Sequence, residues 1–215
     1  MPEPAGPGRA PSAAERWDAR HALVTGARPA PPDALRGREH LLPAGGRALD
    51  VACGRGAVAA WLAARGFAVD AVDVSPVGLA AGARLAPEVH WIRHDLTAGL
   101  PAAGPYDVVV CQRYRDPALY PALAAALAPG GLLVVSVLSR VGDSGGRFRA
   151  APGELAAAFP GLDLLAHAER DGEAALVARA PLPAPHRPRR GAPSPLRRGG
   201  RRGSRGSPPP RPGPW

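Results

Sequence analysis

The residues best suited to hold a ligand lie between Arg47 and Gly56. An apolar run from Ala48 to Ala52 passes into a turn carrying Gly54 and Gly56, and a helical pattern follows from Ala57 to Arg65. Glycines at such a turn let the backbone adopt conformations a Cβ forbids and approach a ligand closely. The helix start that follows offers unpaired N–H groups and a positive dipole end. Taken alone, Gly54-x-Gly56-x-x-Ala59 also fits a dinucleotide fingerprint. Two acids are spaced to complete the site. Asp73 lies 19 residues after Gly54 at the end of a second apolar run, where an acid meets ribose hydroxyls. Asp70 competes for this role, but Ser75-Pro76 marks a helix start and leaves Asp73 at the strand's carboxyl end. Asp95 closes a third run, Val89 to Arg93.

The elements that must position these groups alternate regularly. Strands are expected at 47–52, 68–72, 89–93, 106–111 and 132–138, with helices at 56–65, from Ser75-Pro76 to Leu85, and at 117–128, the last closed by Pro129-Gly130-Gly131. A helix follows at 152–159, and strands at 162–168 and 174–179 flank the hairpin signal Asp171-Gly172. This pattern predicts a doubly wound α/β fold: a mostly parallel seven-stranded sheet with an antiparallel C-terminal hairpin and helices on both faces. Ahead of it, residues 15–24 read as a short helix, and Asp33 as the cap of a second with Leu35, Leu41 and Leu42 on its apolar face.

Composition narrows the chemistry. The chain has 215 residues, a net charge of +9 and no lysine, which excludes Schiff-base chemistry and phosphate-loop lysines. All of the acids lie in 1–180, which is formally neutral, while 181–215 holds nine arginines, eleven prolines and six glycines. Residues 1–14 and 181–215 are therefore expected to be disordered, with a domain between them made of a cover at 15–46 and a core at 47–180. Arg197 to Arg205 resembles arginine-glycine segments that bind RNA by charge, though a merely solvated tail is the favoured reading. Nucleic acid is expected as a partner only nonspecifically, through this tail. Cys53 and Cys111 read as small packing residues, and no metal site is expected. No run suits a membrane span or a signal peptide, so the expectation is a cytoplasmic protein.

Leu49-Asp-Val-Ala-Cys-Gly-Arg-Gly56, Val72-Asp-Val-Ser-Pro76, Asp95, Tyr106-Asp-Val-Val-Val110 and Leu127-Ala-Pro-Gly-Gly131 together resemble class I S-adenosylmethionine-dependent methyltransferases. Glu15 to Arg20 and Cys111 to Asp116 resemble the small bacterial group that includes tellurite-resistance methyltransferases. The resemblance implies S-adenosylmethionine as cofactor and Asp50, Ala52, Cys53, Gly54, Gly56, Asp73, Val74, Asp95, Leu96 and Cys111 as its binding residues. Asp50 would support the glycine loop, Asp73 the ribose, Asp95 the adenine amino group, and the backbone near Cys111 the methionine part. Ala52 stands where the family carries its first loop glycine, and Arg55 is expected to point away from the cationic cofactor. The implied reaction is methyl transfer to a small-molecule acceptor, with an oxidoreductase or a nucleic-acid-directed methyltransferase as alternatives. Trp17, Tyr114 and Arg113 are the candidate acceptor contacts, the aromatics for a cationic or soft apolar group and Arg113 for an anion. No catalytic residue is assigned, because an in-line displacement at a sulfonium methyl needs a base only when the acceptor must lose a proton.

Overall fold

The structure is a computed structural model. It describes residues 9–101, 104–143, 145–146 and 148–183. The expectation of disorder at 1–8 and in the arginine-rich tail from 184 onward falls outside the described residues.

Seven strands form one sheet: β1 Gly46–Val51, β2 Phe67–Asp73, β3 His90–Arg93, β4 Tyr106–Gln112, β5 Leu127–Leu138, β6 Asp163–Arg170 and β7 Glu173–Arg179. Their order is β3-β2-β1-β4-β5-β7-β6. The first five strands pair in parallel, and β7 runs antiparallel to both β5 and β6. This is the expected doubly wound sheet with its terminal hairpin. The β6–β7 turn places Asp171 and Gly172 at φ 53 and 81, the left-handed pair that an Asp-Gly hairpin uses.

Helices α2 Ala57–Ala63 and α3 Pro76–Leu85 lie on one face, and α4 Tyr120–Ala125 and α5 Glu154–Ala157 on the other. Each face has its own apolar core. Trp61, Leu62 and Val110 pack on the α2 side, and Tyr120, Leu123 and Phe159 on the α4 side. The central strands are buried on both faces, so β4 reads as a nearly continuous apolar run.

Three expectations are corrected. The helix proposed for 117–128 is α4 alone, and Pro129-Gly130-Gly131 lies inside β5 rather than closing a helix. Tyr106 pairs with Leu127, the register shifts before Val108, and Gly130 and Gly131 bond to Ala180. A Cβ on Gly131 would sit 2.8 Å from the carbonyls of both Ala128 and Tyr106, so the bulge needs glycine. The helix proposed after Asp33 is instead two 3-10 turns, Asp33–Leu35 and Glu39–Leu41, of which only Leu35 is buried. The N-terminal helix α1 runs Ala13–Ala22, starting earlier than expected because Ser12 and Glu15 form a reciprocal capping box.

One packing contact constrains two helices at once. The indole of Trp91 on β3 lies against Gly56 at the start of α2 and Gly82 in α3, where an added Cβ would stand 2.2 and 2.4 Å from the ring. Gly56 also has φ 75. Gly82→Ala is therefore expected to lower stability by about 1–3 kcal/mol. In a Trp91→Leu background the same change should cost little, a coupling that a double-mutant cycle in urea would measure.

Candidate functional site

A cavity of about 350 Å3 opens where β1, β2 and β4 end. The carboxyl edge of an open α/β sheet is where such folds bind ligands, and this volume suits a small molecule. Asp50, Ala52, Cys53, Gly54, Asp73, Val74, Asp95 and Leu96 all line it, as do Trp17, Arg113 and Tyr114. Two of the sequence-derived cofactor residues do not. Gly56 is turned to Trp91, so its lack of a side chain serves helix packing. Cys111 is 1% exposed in the α4-side core, and Gln112, Arg113 and Tyr114 line the cavity in its place.

Asp73 organises the glycine loop. One carboxylate oxygen accepts the N–H of Gly54 at 2.8 Å and the other accepts that of Ser75 at 2.8 Å. The end of β2 thereby ties the loop after β1 to the start of α3. Asp70 is held elsewhere, by Arg47, His90 and Tyr106. Burial works against its charge, but bonds from Tyr106, His90 and Arg47 outweigh this and keep its carboxyl below its usual range.

Asp50 is 3% exposed, and its Oδ2 has no hydrogen-bond partner. Burial pushes its pKa up to about 7, the N–H of Ala59 in the first turn of α2 opposes this, and the charge of Asp73 adds to it. Asp95 accepts from the N–H and hydroxyl of Thr97, and these bonds hold its carboxyl below its usual range. Three carboxyl groups thus face one largely apolar cavity, while Arg113 reaches out to Glu173 at 3.4 Å. This charge pattern suits a cationic ligand.

Two thiols sit near this edge. Burial, with Asp50 and Asp73 nearby, raises the pKa of Cys53 well above its usual value. Burial, helped by Asp50, pushes Cys111 up to about 12. Both stay protonated and behave as packing groups.

The backbone is strained here. Ala52 and Arg113, at the ends of β1 and β4, both have φ 56. Non-glycine residues in the left-handed region are uncommon and cluster at functional sites. At Ala52 the conformation is the one a glycine adopts freely. At Arg113 it is held by a bond from its N–H to Ser136 O at 2.7 Å.

Helix α1 covers the cavity. Ala13, Trp17 and His21 line it from one stripe, four residues apart. The helix buries none of its own residues and is held by polar contacts. Asp18 accepts from the Ser75 hydroxyl at 2.5 Å and from Val77 N–H at 3.3 Å, and Arg55 donates to His21 O at 2.7 Å. Arg55 points to this cover and does not line the cavity. Reasoning from sequence missed Ala13, His21, Thr97 and Gln112. The spacing of Ala13, Trp17 and His21 was the available signal. His94 also lines the cavity, and its Nε2 faces Gly99 O at 3.0 Å, so Nε2 is the donor. Among the described residues, no group of three or more His, Cys, Asp and Glu side chains is placed to hold a metal ion.

The strand order and this site define the class. A dinucleotide-binding sheet of the 3-2-1-4-5-6 type ends on a parallel strand, whereas here an antiparallel β7 is inserted beside β5. That arrangement, with a glycine loop and acids at the ends of β1 and β2, is the class I methyltransferase fold. Residues 48–131 match the family described as "Methyltransferase domain". Over that stretch the chain is similar to methyltransferase domains, and its fold is that of the class I methyltransferases. It is similar to a ribosomal protein L11 methyltransferase of Bordetella parapertussis, with 40% identity over 186 residues, covering 79% of this chain and 55% of the relative. It is also similar to a ubiquinone biosynthesis O-methyltransferase of Xylella fastidiosa, with 37% identity over 109 residues, covering 45% of this chain and 43% of the relative. The chain thus spans about half the length of these relatives. In fold it resembles TehB from Haemophilus influenzae, with a TM-score of 0.59 at 18% identity, covering 69% of this chain and 61% of that one.

The raised pKa of Asp50 has a thermodynamic consequence. Its ordinary value is 3.8 and its folded value about 7, so between them the folded state keeps a proton that the unfolded state has released. Without ligand, stability falls as pH rises through that window, and the loss is complete above pH 7. Asp50→Asn should match wild type near pH 4 and exceed it by about 2 to 4 kcal/mol at pH 8, as measured by urea unfolding across pH.

Proposed function

We propose that this protein transfers a methyl group from S-adenosylmethionine to a small-molecule acceptor. The observation that carries the reading is the cavity at the ends of β1, β2 and β4, where Asp50, Asp73 and Asp95 line an apolar interior. The residues fit the cofactor. The Gly54 loop has no side chain to block it, Asp73 has lone pairs left for ribose hydroxyls, Asp95 Oδ2 is free for an adenine amino group, and Asp50 suits a positive charge. When bound, S-adenosylmethionine supplies an electrophilic methyl on a sulfonium. The chain's part is to orient the acceptor and exclude water, which α1 does from above the cavity.

The acceptor enters this reading beside Trp17, Arg113 and Tyr114. Burial, with the charge of Asp116 adding to it, pushes the Tyr114 pKa up to about 12. Tyr114 is thus a hydrogen-bond donor at neutral pH and not a base. We assign the methyltransferase domain to 15–180, with 15–46 as cover and 47–180 as core. No helix among the described residues is long and apolar enough to cross a membrane.

A second reading, a protein acceptor, is favoured by the 40% identity to the L11 methyltransferase. The nucleic-acid-directed alternative rests on the charge of the tail alone. Radiolabelled S-adenosylmethionine offered with small-molecule extract or with purified ribosomal protein L11 separates the two acceptor classes. Label in the small-molecule fraction supports our reading, and label in L11 replaces it.

Titration calorimetry tests the donor site. S-adenosylhomocysteine should bind the full chain, and Asp73→Ala should weaken binding by about tenfold or more, because a charged hydrogen-bonding group is lost. A folded wild-type protein that fails to bind it sinks the reading. A deprotonated Asp50 attracts the ligand's ammonium, so affinity should rise with pH from about 5 to 7 in wild type and stay flat in Asp50→Asn.

A further inference from the structure

A second cavity, of about 290 Å3, lies on the α2 side of the sheet, between the 3-10 turn Asp33–Leu35 and the strands β5, β7 and β6. Strand register explains it. Gln112 pairs with Ser136, Ser136 with Ala175, and Ala175 with Ala168, so these four lie in one row across the sheet. Paired residues point to the same face. Beyond Gln112 the row carries only small side chains, which leaves a trough. Asp33, Ala34 and Arg38 line the other side of the trough, and Glu173 and Arg170, the next pair along the strands, line one edge.

Among the described residues, the side chains of Ser136 and Arg38 in this lining have no hydrogen-bond or ion-pair partner. Ser136 is 7% exposed and lines the cavity, and its hydroxyl makes no hydrogen bond among the described residues. The hydroxyl opens onto the cavity and is available to a ligand there. The guanidinium of Arg38 has no ion pair or hydrogen bond among the described residues. The acids of the lining are each engaged. Asp33 pairs with Arg36 at 2.9 Å, Glu173 with Arg113 at 3.4 Å and Asp171 with Arg170 at 3.9 Å. Counted with these partners, the trough keeps one unbalanced positive charge, that of Arg38. His167 also lines it.

The trough abuts the donor site through two contacts. Gln112 lines the donor cavity and accepts the N–H of Asp33, which lines the trough, at 2.9 Å. Arg113 lines the donor cavity and pairs with Glu173 of the trough.

We propose that the trough is a carboxylate-binding site that receives the anionic end of the methyl acceptor. Ser136 donates a hydrogen bond to the carboxylate, Arg38 supplies its counter-charge, and the row of small side chains admits a flat group such as an aromatic ring. The assignment of the occupant as acceptor rests on the methyltransferase reading; the site itself rests on the trough.

Calorimetry with the full chain saturated in S-adenosylhomocysteine tests it, with benzoate as probe and benzyl alcohol as its uncharged analogue. Benzoate should bind alongside S-adenosylhomocysteine and at least about tenfold more tightly than benzyl alcohol, the difference a charged hydrogen bond makes. Arg38→Ala should weaken benzoate about tenfold by the same reasoning. Ala175→Leu, which fills the trough, should abolish its binding. In both variants the affinity for S-adenosylhomocysteine and the circular dichroism should match wild type. Absence of benzoate binding, equal binding of benzyl alcohol, displacement of S-adenosylhomocysteine by benzoate, or undiminished binding in folded Ala175→Leu overturns the proposal. Failure of S-adenosylhomocysteine to bind any of these proteins counts against the methyltransferase reading, and benzoate titrated into the ligand-free chain then still decides the trough.

Discussion

The Asp73 carboxylate stands between two backbone N–H groups that belong to different elements, Gly54 after β1 and Ser75 before α3. Much of the site depends on that bridge. It fixes the height of the glycine loop over the sheet edge. It leaves the Ser75 hydroxyl free to accept from Gly78 N–H at the start of α3 and to donate to Asp18 on the cover. A single side chain at the end of β2 therefore connects loop, helix and cover. Close approach of the two elements makes glycine necessary at Gly78, where an added Cβ would lie 2.6 Å from Gly54 O.

Electrostatics and strain converge on the same edge. Asp50 is kept buried without a partner for one of its oxygens, a costly arrangement in an empty site and a favourable one beside a positive charge. Ala52 and Arg113 hold left-handed conformations on either side of it. Destabilised groups of this kind persist only where the surrounding structure fixes them, and here the parallel pairing of β1 with β4 does so.

The alternation of apolar strands and helices, the Asp-Gly hairpin and the Asp73 position were legible in the sequence because each follows from local pattern or short spacing. Other features were not, for physical reasons. Pro129-Gly130-Gly131 carries a strong helix-stop signal, yet pairing with Tyr106 and Ala180 draws it into β5. The stretch from Asp33 to Leu42 has apolar residues at helical spacing, but Pro31 and Pro32 before it and Gly37 at φ 73 within it break it into 3-10 turns. Gly56 looked like a ligand glycine, and the residue that demands it, Trp91, lies on another strand. The small-residue trough depends on the register of four strands, which no local pattern encodes.

Helix α1 closes the donor cavity without burying any residue of its own. Unfolding and opening transitions acquire their heat-capacity change chiefly from apolar surface newly exposed to water. Lifting α1 breaks the Asp18 and Arg55 hydrogen bonds and uncovers the apolar wall of the cavity, but no fully buried side chain of the helix. The heat-capacity change of opening is therefore smaller than that of unfolding the core beneath. Access to the cavity and integrity of the fold then differ in how steeply they respond to temperature, although both involve Ser75.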